Sequence, residues 1–349
     1  MKNRATLIQW GFRVLAVVAA FLFTVILLLL IGAQPFEAYN NILLGAFTSW
    51  QKFGEVIRAW LPLVIVTSGL VITFTAGLWN IGVEGQITLG AILTTFVIRE
   101  LQFQPISPTL VLVLAILAGT LGGMLWASLA ALLKIYGGIS EIFAGLGLNF
   151  VADAFTLWLI FGPWKRPGVG SMSGTIPFDE QFRLPNLQGM AVSIWPMLMA
   201  VVIVLAVFLV LKGSYFGLRL KSIGKNLRAA FIKGVPTARY MLSAFMVCGF
   251  CAGLAGALQV TSVHFRLVPS IASGYGFLGI LVAMLVNFHP LWALPVAFVF
   301  STLNTGSIQL PMVMKLDAAL SGVLQGTLVL FVLLLEGVRK KLFAKGEEK

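Results

Sequence analysis

The sequence predicts an all-α membrane protein: a polytopic bundle of about ten spans forming one domain over residues 1–349, and three observations carry that reading. First, 59% of the residues are hydrophobic and 10% are charged, against about 45–50% and about 25% in a soluble domain. Second, apolar runs of about 20 residues, long enough to cross a bilayer core, recur along the whole chain. Third, Lys and Arg fall unevenly on alternate connections, as they do on the two sides of a membrane.

Taken in order, the expected spans are 12–32, 60–78, 81–99, 109–133, 139–162, 191–211, 238–260, 271–287, 291–308 and 318–336. The first follows Lys2, Arg4 and Arg13 but has an apolar core longer than a signal peptide's, which runs to about 7–15 residues, so it stays as a helix. Gly119 and Gly123 in the fourth span, Gly249 and Gly253 in the seventh, and Gly322 and Gly326 in the tenth are spaced for close helix contact. Cys248 and Cys251, also in the seventh, match a redox spacing but lie inside an apolar run, where they read as small buried residues. Pro62, Pro290, Pro295 and Pro311 mark helix ends or bends.

With ten spans and a cytoplasmic N-terminus, sixteen of the 24 Lys and Arg face the cytoplasm and eight face out, so both termini are internal. The net charge of +12 is thereby a membrane-topology signal, since the basic residues do not gather on one face suited to nucleic acid. Two long polar segments, 34–59 and 162–189, are expected outside, as functional or docking surfaces or as tolerated insertions.

The cytoplasmic loop 212–240 is the longest internal one, and a short tail, 337–349, ends the chain. Within the loop, Asn226 is a helix cap and Gly234-Val235-Pro236 a stop, leaving about two turns. Leu227, Ala230 and Phe231 share one face of that helix, while Lys225, Arg228 and Lys233 lie mostly elsewhere. Two turns are not stable alone, so the helix requires a partner surface, either the lipid interface or a groove on a cytoplasmic protein. Gly224-Lys225 is not a phosphate-binding loop, because Arg219 and Asn226 stand where glycine and Ser/Thr are needed.

The most unusual stretch is LWNIGVEGQITLG, residues 78–90, which sets Asn80, Glu84 and Gln86 among glycines. Gly82 and Gly85 predict a helix break, tolerated in a membrane only where protein or water satisfies the backbone. A carboxylate there costs at least ~2.5 kcal/mol on insertion scales, so Glu84 faces the interior with a partner, Asn80 and Gln86 being nearest. Such a break either lines the translocation path or only ties the helix ends together. Asn149, Asp153, Asn287 and Asn304 read first as helix-to-helix contacts, and Tyr275 and Phe277 as packing or a stacking platform for a base. His264 and His289 are the only histidines and have no carboxylates at ligand spacing, so neither a metal site nor a catalytic site is expected.

Three stretches in order, Asn80-Ile81-Gly82-Val83-Glu84-Gly85-Gln86, then Gly224-x-Asn226-x-x-Ala229-Ala230-x-x-x-Gly234-Val235, then Gly274-Tyr275-Gly276-Phe277-Leu278-Gly279-Ile280 with His289-Pro290, resemble the permease subunits of bacterial ABC importers for nucleosides. These belong to the larger ribose and branched-chain amino-acid permease family, and the resemblance covers roughly residues 36–336. It implies a non-enzymatic importer subunit in the bacterial cytoplasmic membrane, surrounded by lipid, with no cofactor of its own. Its implied partners are a second permease subunit, most simply in a heterodimer, a cytoplasmic ATPase that binds ATP and Mg, and an extracytoplasmic substrate-binding lipoprotein. It implies coupling to the ATPase through Gly224, Lys225, Asn226, Leu227, Arg228, Ala229, Ala230, Phe231, Gly234 and Pro236. A path lined by Asn80, Glu84, Gln86, Asn149, Tyr275, Phe277 and Asn304 is expected with it. Nucleosides lead as substrate, with a ribose-like sugar or a riboflavin-type compound next; a secondary transporter is the competing class. Two departures stand out: Leu227 replaces the family's usual proline, and Gly138–Phe143 replaces the nucleoside permeases' Val-Asn-Glu wording.

Overall fold

The structure is a computed structural model describing residue 15 and residues 18–168, 174–308, 314 and 320–344. Lys2, Arg4, Arg13, residues 169–173, Pro311, Lys315, Lys345, Lys349 and the first residues of the expected spans 12–32 and 318–336 lie outside the described residues. What is described is helical, with one isolated antiparallel bridge between Asn186 and Ser193. The helices are α1 (Val18–Leu30), α2 (Pro35–Phe47), α3 (Trp50–Thr75), α4 (Val83–Leu101), α5 (Pro108–Ile135), α6 (Glu141–Phe161) and α7 (Ile194–Gly213). There follow α8 (Tyr215–Lys225), α9 (Leu227–Ile232), α10 (Thr237–Leu258) with a π turn at Gln259–Val263, α11 (Tyr275–Leu285), α12 (Pro290–Ser307) and α13 (Leu320–Ala344).

The chain divides into two compact units, Met1–Val56 with Phe298–Lys349, and Ile57–Ala297. In the first, α1 and α2 meet at 114°. The expected external loop 34–59 is instead α2 followed by the start of α3. Its average polarity hid a helical period, because Ala38, Ile42, Gly45 and Ala46 recur on one buried face. Leu28, Ala33, Ala38 and Ile42 form a core with Leu303 and Leu320 against it. A Cβ on Gly306 would fall 1.9 Å from the Ile42 carbonyl oxygen, so α12 and α2 touch backbone to backbone.

In the second unit, α3 and α10 are 78% and 72% buried over their apolar windows, while α5, α6 and α7 are 39%, 33% and 33% buried, which puts α3 and α10 inside and the other three outside. The helix α4 is buried from Val83 to Thr88, and again at Thr94, Thr95 and Ile98, although it carries Glu84, Gln86 and several threonines. Its threonines return their hydroxyls to the preceding turn, Thr88 to Glu84 O, Thr94 to Gly90 O and Thr95 to Ala91 O, so no lone polar group is left. Glycines let α4, α5 and α10 approach closely: a Cβ on Gly123 would sit 2.2 Å from Gly249 O, and one on Gly90 2.5 Å from Gly253 O. The third expected pair differs, since a Cβ on Gly322 or Gly326 would meet nothing within 4 Å. Spacing alone matches many glycines; contact needs a facing helix.

Among the described residues, five helices are long and apolar enough to cross a membrane, or six if α1 and α2 count as one bent span. The expected span 271–287 is a half-length helix, 11 residues or about 16 Å. Positive φ at Ser270, Ser273 and Gly274 holds the preceding segment out of helix, a break that apolar averaging overlooked. The segment 162–189, where described, is pinned along the π turn and the residues after it, with Thr175 N donating to Leu267 O (2.9 Å), Phe178 N to Phe265 O (2.7 Å) and Leu184 N to Thr261 O (3.0 Å).

Because Gly253 faces Gly119 O at 2.4 Å from an added Cβ, Gly253→Val is expected to cost about 1–3 kcal/mol through overpacking. Gly322→Val should leave stability near wild type. Thermal unfolding of the purified chain in detergent checks both.

Candidate functional site

The helix α3 stops at Thr75, Gly77 takes a left-handed turn (φ +72°), and α4 begins only at Val83. The break does not stay at the end of the bundle. Asn80 Nδ2 donates to Cys248 Sγ at 3.1 Å, and Cys248 is eleven positions past Thr237, the start of α10, or about 16 Å along that helix. The chain therefore turns back into the interior before resuming as a helix. Asn80 and Gln86 there pair reciprocally, Asn80 Nδ2 to Gln86 Oε1 (3.1 Å) and Gln86 Nε2 to Asn80 Oδ1 (2.9 Å). Each amide supplies the donor and the acceptor that the other needs.

Glu84 does not use them, contrary to the sequence expectation. Its Oε1 accepts from Gly274 N and its Oε2 from Gly276 N, both at 2.7 Å. A carboxylate can only accept, and the first amides of α11 are donors left without partners within their own helix. The N-terminal end of α11 also carries the positive pole of the helix dipole. Glycine is required at the contact, because a Cβ on Gly276 would fall 2.3 Å from Glu84 Oε2. Asn149 of α6 closes the start of α4 in the same manner: its Oδ1 accepts from Gly85 N (2.8 Å) and its Nδ2 donates to Ile81 O (3.0 Å). Gly82 and Gly145 allow this approach, at 2.9 Å from an added Cβ to the Gly145 Cα. Two helix starts inside the bundle are thus each capped by a side chain from another helix.

Asn80, Gln86, Glu84 and Asn149 are all buried. Tyr275, the first residue of α11, is half-buried with its hydroxyl beside Gln259. Phe277 is 47% exposed. Asn304 belongs to the other compact unit, half-buried, its carbonyl accepting from Ser307 Oγ. Asp153 is exposed on α6, one turn after Asn149. Sequence reasoning missed Gly274 and Gly276 as the partners of Glu84; the signal was there, since a helix starting in the interior demands an outside acceptor. It also missed the pairing of Lys134 with Glu141, which joins the end of α5 to the start of α6 while Glu141 Oε1 faces Trp79 N at 3.5 Å. Among the described residues, no group of three or more His, Cys, Asp or Glu side chains could hold a metal.

In the loop 212–240, α9 has six residues, and Asn226 Oδ1 accepts from Ala229 N at 2.9 Å as its cap. Gly234, at φ +80°, ends it. Ala230 is buried, while Leu227, Phe231 and Ile232 are exposed together with Lys225, Arg228 and Lys233. The stretch before Asn226 is a second helix, α8, which buries Gly217, Leu220 and Ile223 at helical spacing; its many charges masked that period. The loop rests on the end of α3: a Cβ on Gly224 would lie 2.2 Å from Thr75 O, and one on Gly77 3.3 Å from Gly224 Cα.

A family model described as the branched-chain amino acid transport system permease component matches residues 53–333. The chain is 28% identical over 336 residues to the glucose ABC transporter permease protein TsgB13 of Haloferax volcanii, covering 93% of this chain and 87% of that one. It is 25% identical over 301 residues to the nucleoside ABC transporter permease protein NupB of Lactococcus lactis (84% and 82% covered). It is 24% identical over 315 residues to the guanosine ABC transporter permease protein NupP of Bacillus subtilis (88% of each).

Glu84→Gln leaves one acceptor for the Gly274 and Gly276 amides, and Asn149→Ala strips both partners from the start of α4. Each is expected to cost about 1–3 kcal/mol, the penalty of a buried donor left unmade. Thermal unfolding in detergent reads it, and melting of either variant at the wild-type temperature would contradict the capping roles.

Proposed function

The chain belongs to the branched-chain amino acid transport system permease family, and on that premise we propose that it imports a nucleoside across the bacterial cytoplasmic membrane, with both termini inside. As a multi-pass ABC permease it performs no covalent chemistry, and ATP hydrolysis belongs to a separate subunit. In our reading the ten helical segments expected from sequence all belong to the membrane domain, the short α11 entering only part of it. ATP and Mg are held by the partner ATPase, and the solute arrives from an extracytoplasmic binding lipoprotein.

One observation carries the mechanism: a six-residue helix with exposed Leu227, Phe231 and Ile232 follows α8, whose Gly224 is seated on the end of α3. A helix that short is not stable alone, and exposed apolar side chains ringed by Lys225, Arg228 and Lys233 suit a groove on the ATPase. Displacement of α9 presses on Thr75 and Gly77, and so on the break between α3 and α4. That break is joined through Glu84 to α11 and through Asn149 to α6, so one push reaches three helices. Docking at one face then biases the bundle between outward- and inward-open states.

The nucleoside assignment rests on the names of relatives from Lactococcus lactis and Bacillus subtilis. Those names come in pairs, NupB with NupC and NupP with NupQ, which supports a second, different permease subunit completing the path. A hexose is the second reading, favoured by the Haloferax volcanii relative.

Reversing Lys225 and Arg228 to Glu together with Phe231→Asp is expected to bring ATP-driven guanosine uptake by the complete transporter to background, with membrane insertion unchanged. Proteoliposome uptake checks it, and uptake at the wild-type rate would contradict docking at α9. Competition by unlabelled guanosine but not glucose supports the nucleoside, and the reverse supports the hexose.

A further inference from the structure

Asp153 stands twelve positions after Glu141, the first residue of the 21-residue α6, or about 18 Å along it. The helix α6 is one of the five long and apolar enough to cross the membrane, so this carboxylate lies in its middle third. Unlike Glu84 it is exposed, and it makes no hydrogen bond or ion pair among the described residues. A carboxylate facing lipid at that depth is unfavourable. Its neighbours Phe150 and Leu157 are apolar and exposed at 73% and 41%, so nothing on α6 itself compensates the charge. Water or a polar molecule standing against it in the working transporter removes that cost.

Its surroundings identify which. Asp153 follows Asn149 by one turn, and Asn149 Oδ1 holds the amide of Gly85, the residue after Glu84. Glu84 in turn holds the first turn of α11, where the ring of Phe277 is exposed. An unpaired hydrogen-bond acceptor and an uncovered aromatic ring thus both border the place where three helices are clamped and where the proposed movement arrives. An acceptor beside a flat apolar ring is the pairing that a polyhydroxylated ring solute needs, hydroxyls to the carboxylate and an apolar face to the aromatic.

We propose that Asp153 and Phe277 form a solute subsite in the wall of the translocation pathway, with the Asp153 carboxylate accepting from the hydroxyls of a ribose-like ring. The proposal rests on the transport function given above and adds the residues that select the cargo.

The test uses the complete transporter in proteoliposomes. Asp153→Cys should react with a charged, water-soluble methanethiosulfonate, and saturating guanosine should slow that reaction; Cys248 and Cys251, both buried, provide a quiet background. Asp153→Asn should raise the half-saturating guanosine concentration about tenfold or more, while uptake of 2′,3′-dideoxyguanosine, already weak, changes little. Asp153→Glu should restore part of the guanosine affinity, which a merely structural role would not produce. Overturning results are labelling of Asp153→Cys only by a membrane-soluble maleimide, its disulfide cross-linking to the second permease subunit, or equal effects on both nucleosides. If the transporter moves glucose and no nucleoside, the nucleoside reading fails on its own. The subsite is then decided by whether glucose protects Asp153→Cys, protection supporting it and indifference overturning it.

Discussion

A helix that begins inside a membrane protein brings amide donors that neither lipid nor its own turns can satisfy, and the second compact unit of this protein is organised around two such helices. Glu84 receives the Gly274 and Gly276 amides at 2.7 Å each, and Asn149 receives the Gly85 amide at 2.8 Å. Without these acceptors each start would leave buried donors at about 1–3 kcal/mol apiece. The carboxylate that looks misplaced in an apolar sequence is therefore the group that makes an interior helix start tolerable. Its position two residues into α4 ties the break after α3 to the half-length α11.

The glycines give the clamps room to form. Backbone contact among Gly90, Gly123, Gly249 and Gly253 joins α4, α5 and α10 into a tight interior, and Gly276 lets a carboxylate reach a helix start that any side chain would cover. At the loop 212–240 the same device is used differently, with Gly224 against Thr75 and Gly77. There the contact joins an exposed helix pair to the break without side chains that could flex between them. The seat of Gly224 on the end of α3 and the clamped break beyond it form a continuous series of close contacts from the loop 212–240 to helix ends deep in the unit.

Much of this was legible in the sequence. Long apolar runs located α5, α6, α7 and α10 to within a few residues, because lipid or apolar neighbours surround helices of that composition. The break before α4 was legible from Gly82 and the polar residues beside it, although Gly85, read with it, lies inside α4, and the cap at Asn226 was legible because its chemistry is local. What escaped was whatever depends on a distant partner. Glu84 needs Gly274, 190 positions away, and nothing local distinguishes it from a carboxylate paired with its own neighbours. The helices α2 and α8 escaped because charges and polar residues on one face diluted an apolar period on the other. The half-length of α11 escaped because an apolar run does not reveal where positive φ angles stop a helix.

Hydrogen exchange at the backbone amides of Gly274 and Gly276 tests the Glu84 clamp directly, since both donate to its carboxylate. The account predicts slow exchange in the wild-type protein and much faster exchange in Glu84→Ala, with the amides of α10 unchanged. Equal protection of the Gly274 and Gly276 amides in the two proteins would show that Glu84 does not hold the start of α11.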